Sequence, residues 1–307
     1  MLPRGRAAAQ EGVTLTLVAY STPREAYEEI IPLFQATEAG TGVTVETSFA
    51  SSGEQSRAVE SGLPADIVAL SLAPDIDRLV PLGLVAEDWA ADEFNGFVTI
   101  SVVVFAVRPG NPKNIQSWDD LLRDDVRVIN PNPLTSGGAK WNILAGYGAQ
   151  LEAGLSHDEA VEYLRQLFTR IPVQDKSARE ALNTFFGGLG DVMLGYENEV
   201  ITAQGAGEEI DYVLPAGTIL IENPAALVTE SANPDQAVAF LDFIRGPEAQ
   251  RVFGEKGYRP IVAEILAEFD YATPEQLFTI ADLGGWEAVD AQFFDPDSGI
   301  VVAVQQR

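Results

Sequence analysis

Four short stretches combine a hydroxyl side chain with a glutamate three places on or with a pair of glycines. They are Thr22-Pro23-Arg24-Glu25, Ser51-Ser52-Gly53-Glu54, Ser136-Gly137-Gly138-Ala139 and Ser177-Ala178-Arg179-Glu180. Each stands where an extended-looking run gives way to a helix-like one. Three have the spacing of a capping box, in which hydroxyl and carboxylate satisfy N–H groups that a helix start leaves unpaired. The same N–H groups, with the positive end of the helix dipole, can receive an anion without any charged side chain. Capping alone accounts for any one of these stretches. The adjacent Gly137 and Gly138 point further: two glycines in a first turn weaken a helix relative to alanine, and they let a ligand approach the backbone.

Other chemistries find little support. A serine hydrolase would have to use His157, the single histidine, which opens a helix in Ser156-His157-Asp158-Glu159 and reads as a solvated first-turn residue. No Gly-x-Ser-x-Gly elbow accompanies it. Gly137-Gly138-Ala139-Lys140 has the wrong spacing for a phosphate-binding P-loop, and Gly187-Gly188-Leu189-Gly190 reads as a turn before a strand. Among 46 acidic residues, a carboxylate pair carries almost no information about acid–base catalysis. A surface adhesin, with a flat exposed patch in place of a donor-lined cleft, is the remaining class.

Composition narrows the partners. A formal charge of −27 argues against nucleic acid and anionic lipid, both of which require a cationic surface. Without cysteine there are no disulfides or thiolate metal sites, and one histidine leaves the usual zinc clusters out of reach, so no metal or cofactor is expected. No apolar run reaches the length of a membrane span. Residues 1–12, with Arg4 and Arg6 ahead of Ala7-Ala8-Ala9, read either as the tail of an export leader or as a disordered start.

The elements that would position the four stretches follow a βα rhythm: Val13 to Tyr20 then Pro23 to Glu38, Val43 to Ser48 then Gly53 to Ser61, Asp66 to Leu70 then Asp75 to Leu82. In the first helix Ala26, Ile30, Ile31 and Phe34 share a face for the sheet, while Arg24, Glu28, Glu29 and Gln35 stay wet. The apolar run Val98 to Val107 reads as a crossing into a second lobe. There the rhythm restarts with Val126 to Ile129, the helix after Gly138, the amphipathic helix around Val161, Leu164, Leu167 and Phe168, and the strand Asp191 to Tyr196. The stretch Ala225 to Val228 crosses back to helices at Asp235–Arg245 and Pro247–Lys256. At 307 residues two lobes are the default. The expected division is 13–103 with 222–307 against 104–221, giving an α/β fold with a largely parallel sheet in each lobe. Helix starts at the carboxyl ends of such strands face the crevice where ligands bind.

The run Asn130-Pro131-Asn132-Pro133-Leu134-Thr135-Ser136-Gly137-Gly138-Ala139-Lys140-Trp141-Asn142 closely resembles the signature of the sulfate- and thiosulfate-binding proteins of ABC importers. Ala19 to Glu25, Ser51 to Gln55, Ala65 to Leu70, Gly190-Asp191-Val192, Glu197-Asn198-Glu199, Tyr258-Arg259-Pro260 and Gly284-Gly285-Trp286 follow in that family's order. The resemblance implies a two-lobed, type II periplasmic-binding-protein fold holding a dehydrated oxyanion in the cleft. It implies ligand contacts at Ser21 and Ser52 from one lobe, and at Ser136, Gly137, Gly138, Ala178 and Tyr196 from the other. Most would be backbone N–H donors, with a hydroxyl at Ser136.

Two positions depart from the family pattern. Ser21 stands where aspartate is usual, and Tyr196 where tryptophan is usual. An indole only donates, whereas a phenol donates or accepts, so the exclusion of protonated anions is open to change at Tyr196. A tyrosine packed beside the cleft, with water as the donor, is the plainer alternative. Arg179 either meets the ligand or pairs with a cleft carboxylate such as Glu197, the ion pair being the preferred reading. The family role further implies a monomer, outside the cytoplasm or in the periplasm, delivering its ligand to a membrane permease without itself entering the membrane.

Overall fold

A computed structural model describes residues 12–305. The reading of residues 1–12 therefore lies, apart from Gly12, outside the described residues. Strand β1 (Val13–Tyr20) buries its last four residues at the centre of a parallel trio with β2 (Val43–Ala50) and β3 (Ile67–Ala69). Between them run α1 (Arg24–Gln35) and α2 (Ser52–Glu60). Helix α1 packs Ala26, Tyr27, Ile30 and Phe34 inward, so Tyr27 takes the place expected of Ile31, which is only partly covered. The single helix expected over Asp75 to Leu82 breaks into α3 (Ala73–Asp77) and a short 3-10 turn at Val80–Leu82. Pro81 cannot donate to a continuing helix, and Gly83 at φ 72° turns the chain out.

Two long strands carry the chain between lobes. Strand β4 (Phe97–Val107) is buried from Val102 to Val107, and β8 (Gly217–Leu227) runs antiparallel to its first half. Past Ser101 and Val102 the partners of β4 change to β6 (Val192–Tyr196) and β7 (Asp211–Val213). Strand β5 (Val128–Ile129) lies parallel to β6 beyond them, while β8 reaches back to β3. The sheet is thus parallel within β1–β3 and mixed elsewhere, because the crossing strands must run against their neighbours. Helices α4 (Gly137–Glu152), α5 (His157–Thr169), α6 (Ala178–Phe186) and α7 (Glu197–Gly205) flank the second half, and α8 (Pro234–Arg245) and α9 (Pro247–Glu255) cover the first.

The last fifty residues divide. Strand β9 (Arg259–Pro260) pairs with the first half of β4, and α10 (Ala263–Leu266) follows against α9. Strand β10 (Gln276–Phe278), α11 (Gly285–Val289) and α12 (Ile300–Gln305) go to the other side. Strand β10 pairs with the Gly217 end of β8, and Phe293, Phe294, Val301 and Val304 join the core around Trp118, Trp141 and Phe168. The expectation that residues 222–307 all belong with the first lobe is corrected from about Gln276 onward. The apolar side chains of this tail find their uncovered surface on α4 and α5. No helix among the described residues is long and apolar enough to cross a membrane.

Candidate ligand-binding site

All seven expected contact residues, Ser21, Ser52, Ser136, Gly137, Gly138, Ala178 and Tyr196, line one small cavity between the lobes, together with Tyr20, Thr22, Ser51, Ser71 and Ser177. It measures about 10 Å3 as swept by the centre of a water molecule. A space of that size admits water or a small solute and excludes anything much larger. No lysine or arginine is in its wall.

The helix starts are left open toward this space. Ser51 is the N-cap of α2, but its hydroxyl donates to Glu54 Oε2 at 2.8 Å and accepts no backbone bond. Helix α1 begins after Pro23, and Glu25 pairs with Arg179 instead of closing a box with Thr22. Ser177 does accept from Glu180 N at 3.2 Å, but the glutamate reaches back to Lys176 N. The three expected capping boxes are therefore incomplete. The N–H groups of Ser52, Gly137, Gly138 and Ala178 have no acceptor among the described residues. Ser136 Oγ accepts from Ala139 N at 3.3 Å, which leaves its own hydrogen free to donate. Ser52 Oγ is committed elsewhere: it donates to Asp75 at 2.5 Å and accepts from Ser71 N at 2.9 Å.

Residues around the Ser136 turn explain its shape. Asn132 accepts from Leu134, Thr135 and Ser136 N–H groups, and Asn142 Nδ2 donates to Asn130 Oδ1 and to Leu194 O, tying α4 to both adjoining segments. Trp141 Nε1 donates across the cleft to Ser71 O at 2.9 Å, and Trp286, after the left-handed Gly284 and Gly285, packs edge-on against Trp141. The two glycines have different reasons. A Cβ at Gly137 would stand 2.7 Å from Ser71 Oγ and 2.8 Å from Leu72, so glycine there lets the lobes meet. A Cβ at Gly138 would clear its neighbours by 3.5 Å or more but would point among Tyr196, Ala178 and Ser136, into the cavity.

Further contacts hold the lobes together. Gly53 N donates to Thr135 O at 3.2 Å, and Arg179 meets Glu25 at 2.6 Å. The alternative pairing of Arg179 with Glu197 is not made: Glu197, fully buried, is held by Arg259 at 2.9 Å. The Tyr196 hydroxyl lies 2.7 Å from Ser71 Oγ, and the ring is 1% exposed. Burial pushes the phenol far above its ordinary pKa, so it stays protonated. Two carboxyls sit behind the donors. Asp75 contacts Ser52, and Glu199 accepts from Tyr196 N at 3.1 Å; burial raises both above the usual carboxylate range. Ser71 was missed in the sequence because Leu70-Ser71-Leu72 carries no spacing signal. His157 is exposed at the start of α5, where its Nδ1 is hydrogen-bonded to the Tyr147 hydroxyl. No group of three or more histidines and carboxylates suited to a metal occurs among the described residues.

The pattern of bacterial extracellular solute-binding proteins matches residues 15–259. The sulfate-binding protein of Synechococcus elongatus is 40% identical, the match covering 96% of this chain and 87% of that protein. The thiosulfate-binding protein of Pseudomonas aeruginosa is 35% identical over 94% of this chain and 91% of its own. Among solved structures, the sulfate-binding protein SubI from Mycobacterium tuberculosis superposes with a TM-score of 0.90 at 45% identity, covering 92% of this chain and all of SubI. These matches run through both lobes and the turns that bound the cavity, so the chain belongs to the bacterial extracellular solute-binding protein family.

Proposed function

We propose that this protein captures sulfate from outside the cytoplasm or in the periplasm, as a monomer, and delivers it to the permease of an ABC importer without catalysing a reaction. The observation that carries the reading is the cavity itself. It is small, is bounded by unpaired helix-start N–H groups and hydroxyls from both lobes, and has no lysine or arginine in its wall. Ser21, Ser52, Ser136, Gly137, Gly138, Ala178 and Tyr196 are the proposed contacts.

Sulfate suits such a wall because it carries no proton at neutral pH. Each donor to a charged acceptor contributes about 1.5–3 kcal/mol, so several together offset dehydration where one would not. Hydrogenphosphate would bring a proton that a wall of donors leaves unpaired. The curated relatives carry sulfate or thiosulfate in their names, which supports the same ligand class. Delivery follows from closure. The anion bridges helix starts of both lobes, and the closed form is the state a permease can distinguish from the open one.

Titration calorimetry of the dialysed protein with sulfate, thiosulfate, phosphate and molybdate tests the proposal. The expected result is a sulfate dissociation constant at or below about 1 μM, near −8 kcal/mol. Binding of phosphate in preference to sulfate, or of none of the four anions, would overturn it.

A further inference from the structure

A buried carboxylate outside the expected set stands one residue behind the donors. Asp75, in α3, is 7% exposed and lies in the wall of a groove that adjoins the cavity at Ser136 and Gly137. Its Oδ2 accepts from Ser52 Oγ at 2.5 Å, and its backbone carbonyl accepts from Ser56 Oγ at 2.6 Å, so side chain and backbone are tied to α2 separately. The atoms fix the direction of the bonds that follow. A carboxylate only accepts and a backbone N–H only donates, so the Ser52 hydroxyl gives its hydrogen to Asp75 and receives one from Ser71 N at 2.9 Å. Ser71 O in turn accepts from Trp141 Nε1 at 2.9 Å, on the helix that begins at Gly137 in the other lobe. Ser52 is the first residue of α2, and its own N–H, without an acceptor among the described residues, belongs to the cavity wall. With its hydroxyl spent on Asp75, Ser52 has only that N–H to offer an anion.

The same carboxylate is a charge behind the wall. Arg57 faces it from α2, Arg78 from the end of α3 and Lys140 from α4, and all three favour its ionised form. Asp290, paired with Lys140, and Asp295 complete the charged groups of the groove, and the protonated Tyr196 phenol faces Asp75 from the cavity. The groove's cations thus offset a buried carboxylate of the protein itself. We propose that Asp75 is a positioning residue of the anion site: it aims the Ser52 helix start at the ligand, and its charge holds sulfate affinity below what the donors alone would give. This rests on the oxyanion reading of the cavity. A dianion at the Ser52 N–H and a carboxylate at the Ser52 hydroxyl repel across one residue, which eases release.

The test is sulfate calorimetry of the full chain and its Asp75→Asn and Asp75→Ala variants over a range of pH, alongside thermal unfolding without ligand. Asp75→Asn keeps an acceptor for the Ser52 hydroxyl and removes the charge, so at neutral pH it is expected to bind sulfate about three- to tenfold tighter than wild type, the scale of a unit charge acting on a dianion through well-screened surroundings. Asp75→Ala loses the same charge and the acceptor with it, and is expected to bind about tenfold weaker than Asp75→Asn, the scale of one hydrogen bond. As pH falls the wild-type carboxyl takes up a proton and its repulsion is lost, so wild-type affinity should approach that of Asp75→Asn; Glu199, present in both, cancels from the ratio. A residue that only supports the fold would give neither the tighter binding nor the convergence. Asp75→Asn weaker than wild type, or a ratio of the two that does not change with pH, overturns the role of the charge, and Asp75→Ala as tight as Asp75→Asn overturns the positioning. If Asp75→Ala does not fold, the wild-type and Asp75→Asn pair still decides the inference through its sign and pH profile. Absence of sulfate binding by the wild type removes the functional reading and this inference with it.

Discussion

Two spaces share the Ser136–Gly137 turn, and they differ in every property by which an anion site is usually sought. The cavity on one side measures about 10 Å3 and has no cation in its wall. The groove on the other measures about 350 Å3 and is lined by Arg57, Arg78 and Lys140, three of the 19 basic residues of the chain. Charge and volume alone would choose the groove. Its cations, however, are partly solvated and partly engaged, Lys140 with Asp290 and Arg78 with Glu60, and Asp75 and Asp295 lie among them. Charges near water are worth little, whereas fixed dipoles in a small enclosed cavity need no rearrangement when the ligand arrives. The donors that matter here carry no formal charge.

The comparison breaks most sharply at Gly138. Because an added Cβ clears its neighbours yet points into the cavity, Gly138→Ala should keep wild-type thermal stability while losing sulfate affinity by about a hundredfold or more, the loss of two or more charge-assisted bonds. Unaltered affinity in calorimetry would move the site elsewhere. Gly137→Ala should act differently, by wedging the lobes apart at Ser71, so small-angle scattering in saturating sulfate should show a larger radius of gyration than wild type. Ser136→Ala removes one free hydroxyl donor and should cost about tenfold, with the protein still folded.

Smaller effects sharpen the contrast. Arg179→Gln breaks the ion pair with Glu25 across the lobes, each partner one-third exposed, and should weaken binding only about two- to fivefold through easier opening. Arg57→Gln with Arg78→Gln should leave the equilibrium constant nearly unchanged if the groove is not the site. In stopped-flow experiments the wild-type association rate should rise with added salt as the −27 charge is screened. Acidity gives a directional check. Burial holds Asp75 and Glu199 above their ordinary pKa values, and a neighbouring dianion raises them further. Binding then takes up protons, so sulfate affinity should increase as pH falls toward the raised pKa values of these carboxyls, with proton uptake measurable in buffers of different ionisation enthalpy. Tighter binding at high pH would place those carboxyls away from the ligand.

Much of this was legible in the residues, and the limits have physical causes. The helix starts at Ser52, Ser136 and Ala178 were visible because hydroxyls, glycines and period changes are local signals. What those hydroxyls bond to was not: Ser51 spends its hydroxyl on Glu54 instead of accepting a backbone N–H, and Glu25 turns from Thr22 to Arg179. The β1–β3 trio followed from its rhythm. The antiparallel crossing of β4 and β8 did not, because strands buried on both faces lose the alternation that reveals orientation. The tail was misplaced for a similar reason: Phe293, Phe294, Val301 and Val304 have no periodic context that tells which lobe they will cover. Ser71 lies between two leucines and becomes part of the cavity wall only when Trp141, Asn223 and Tyr196 arrive from 70, 152 and 125 residues away.

The central claim is that uncharged donors in the small cavity, not the cations of the groove, hold the anion. Soaking crystals with selenate and locating its selenium by anomalous scattering tests that most directly. The account predicts one peak enclosed by the N–H groups of Ser52, Gly138 and Ala178 and the hydroxyl of Ser136. A peak beside Arg57, Arg78 and Lys140, with the cavity holding only water, would contradict it.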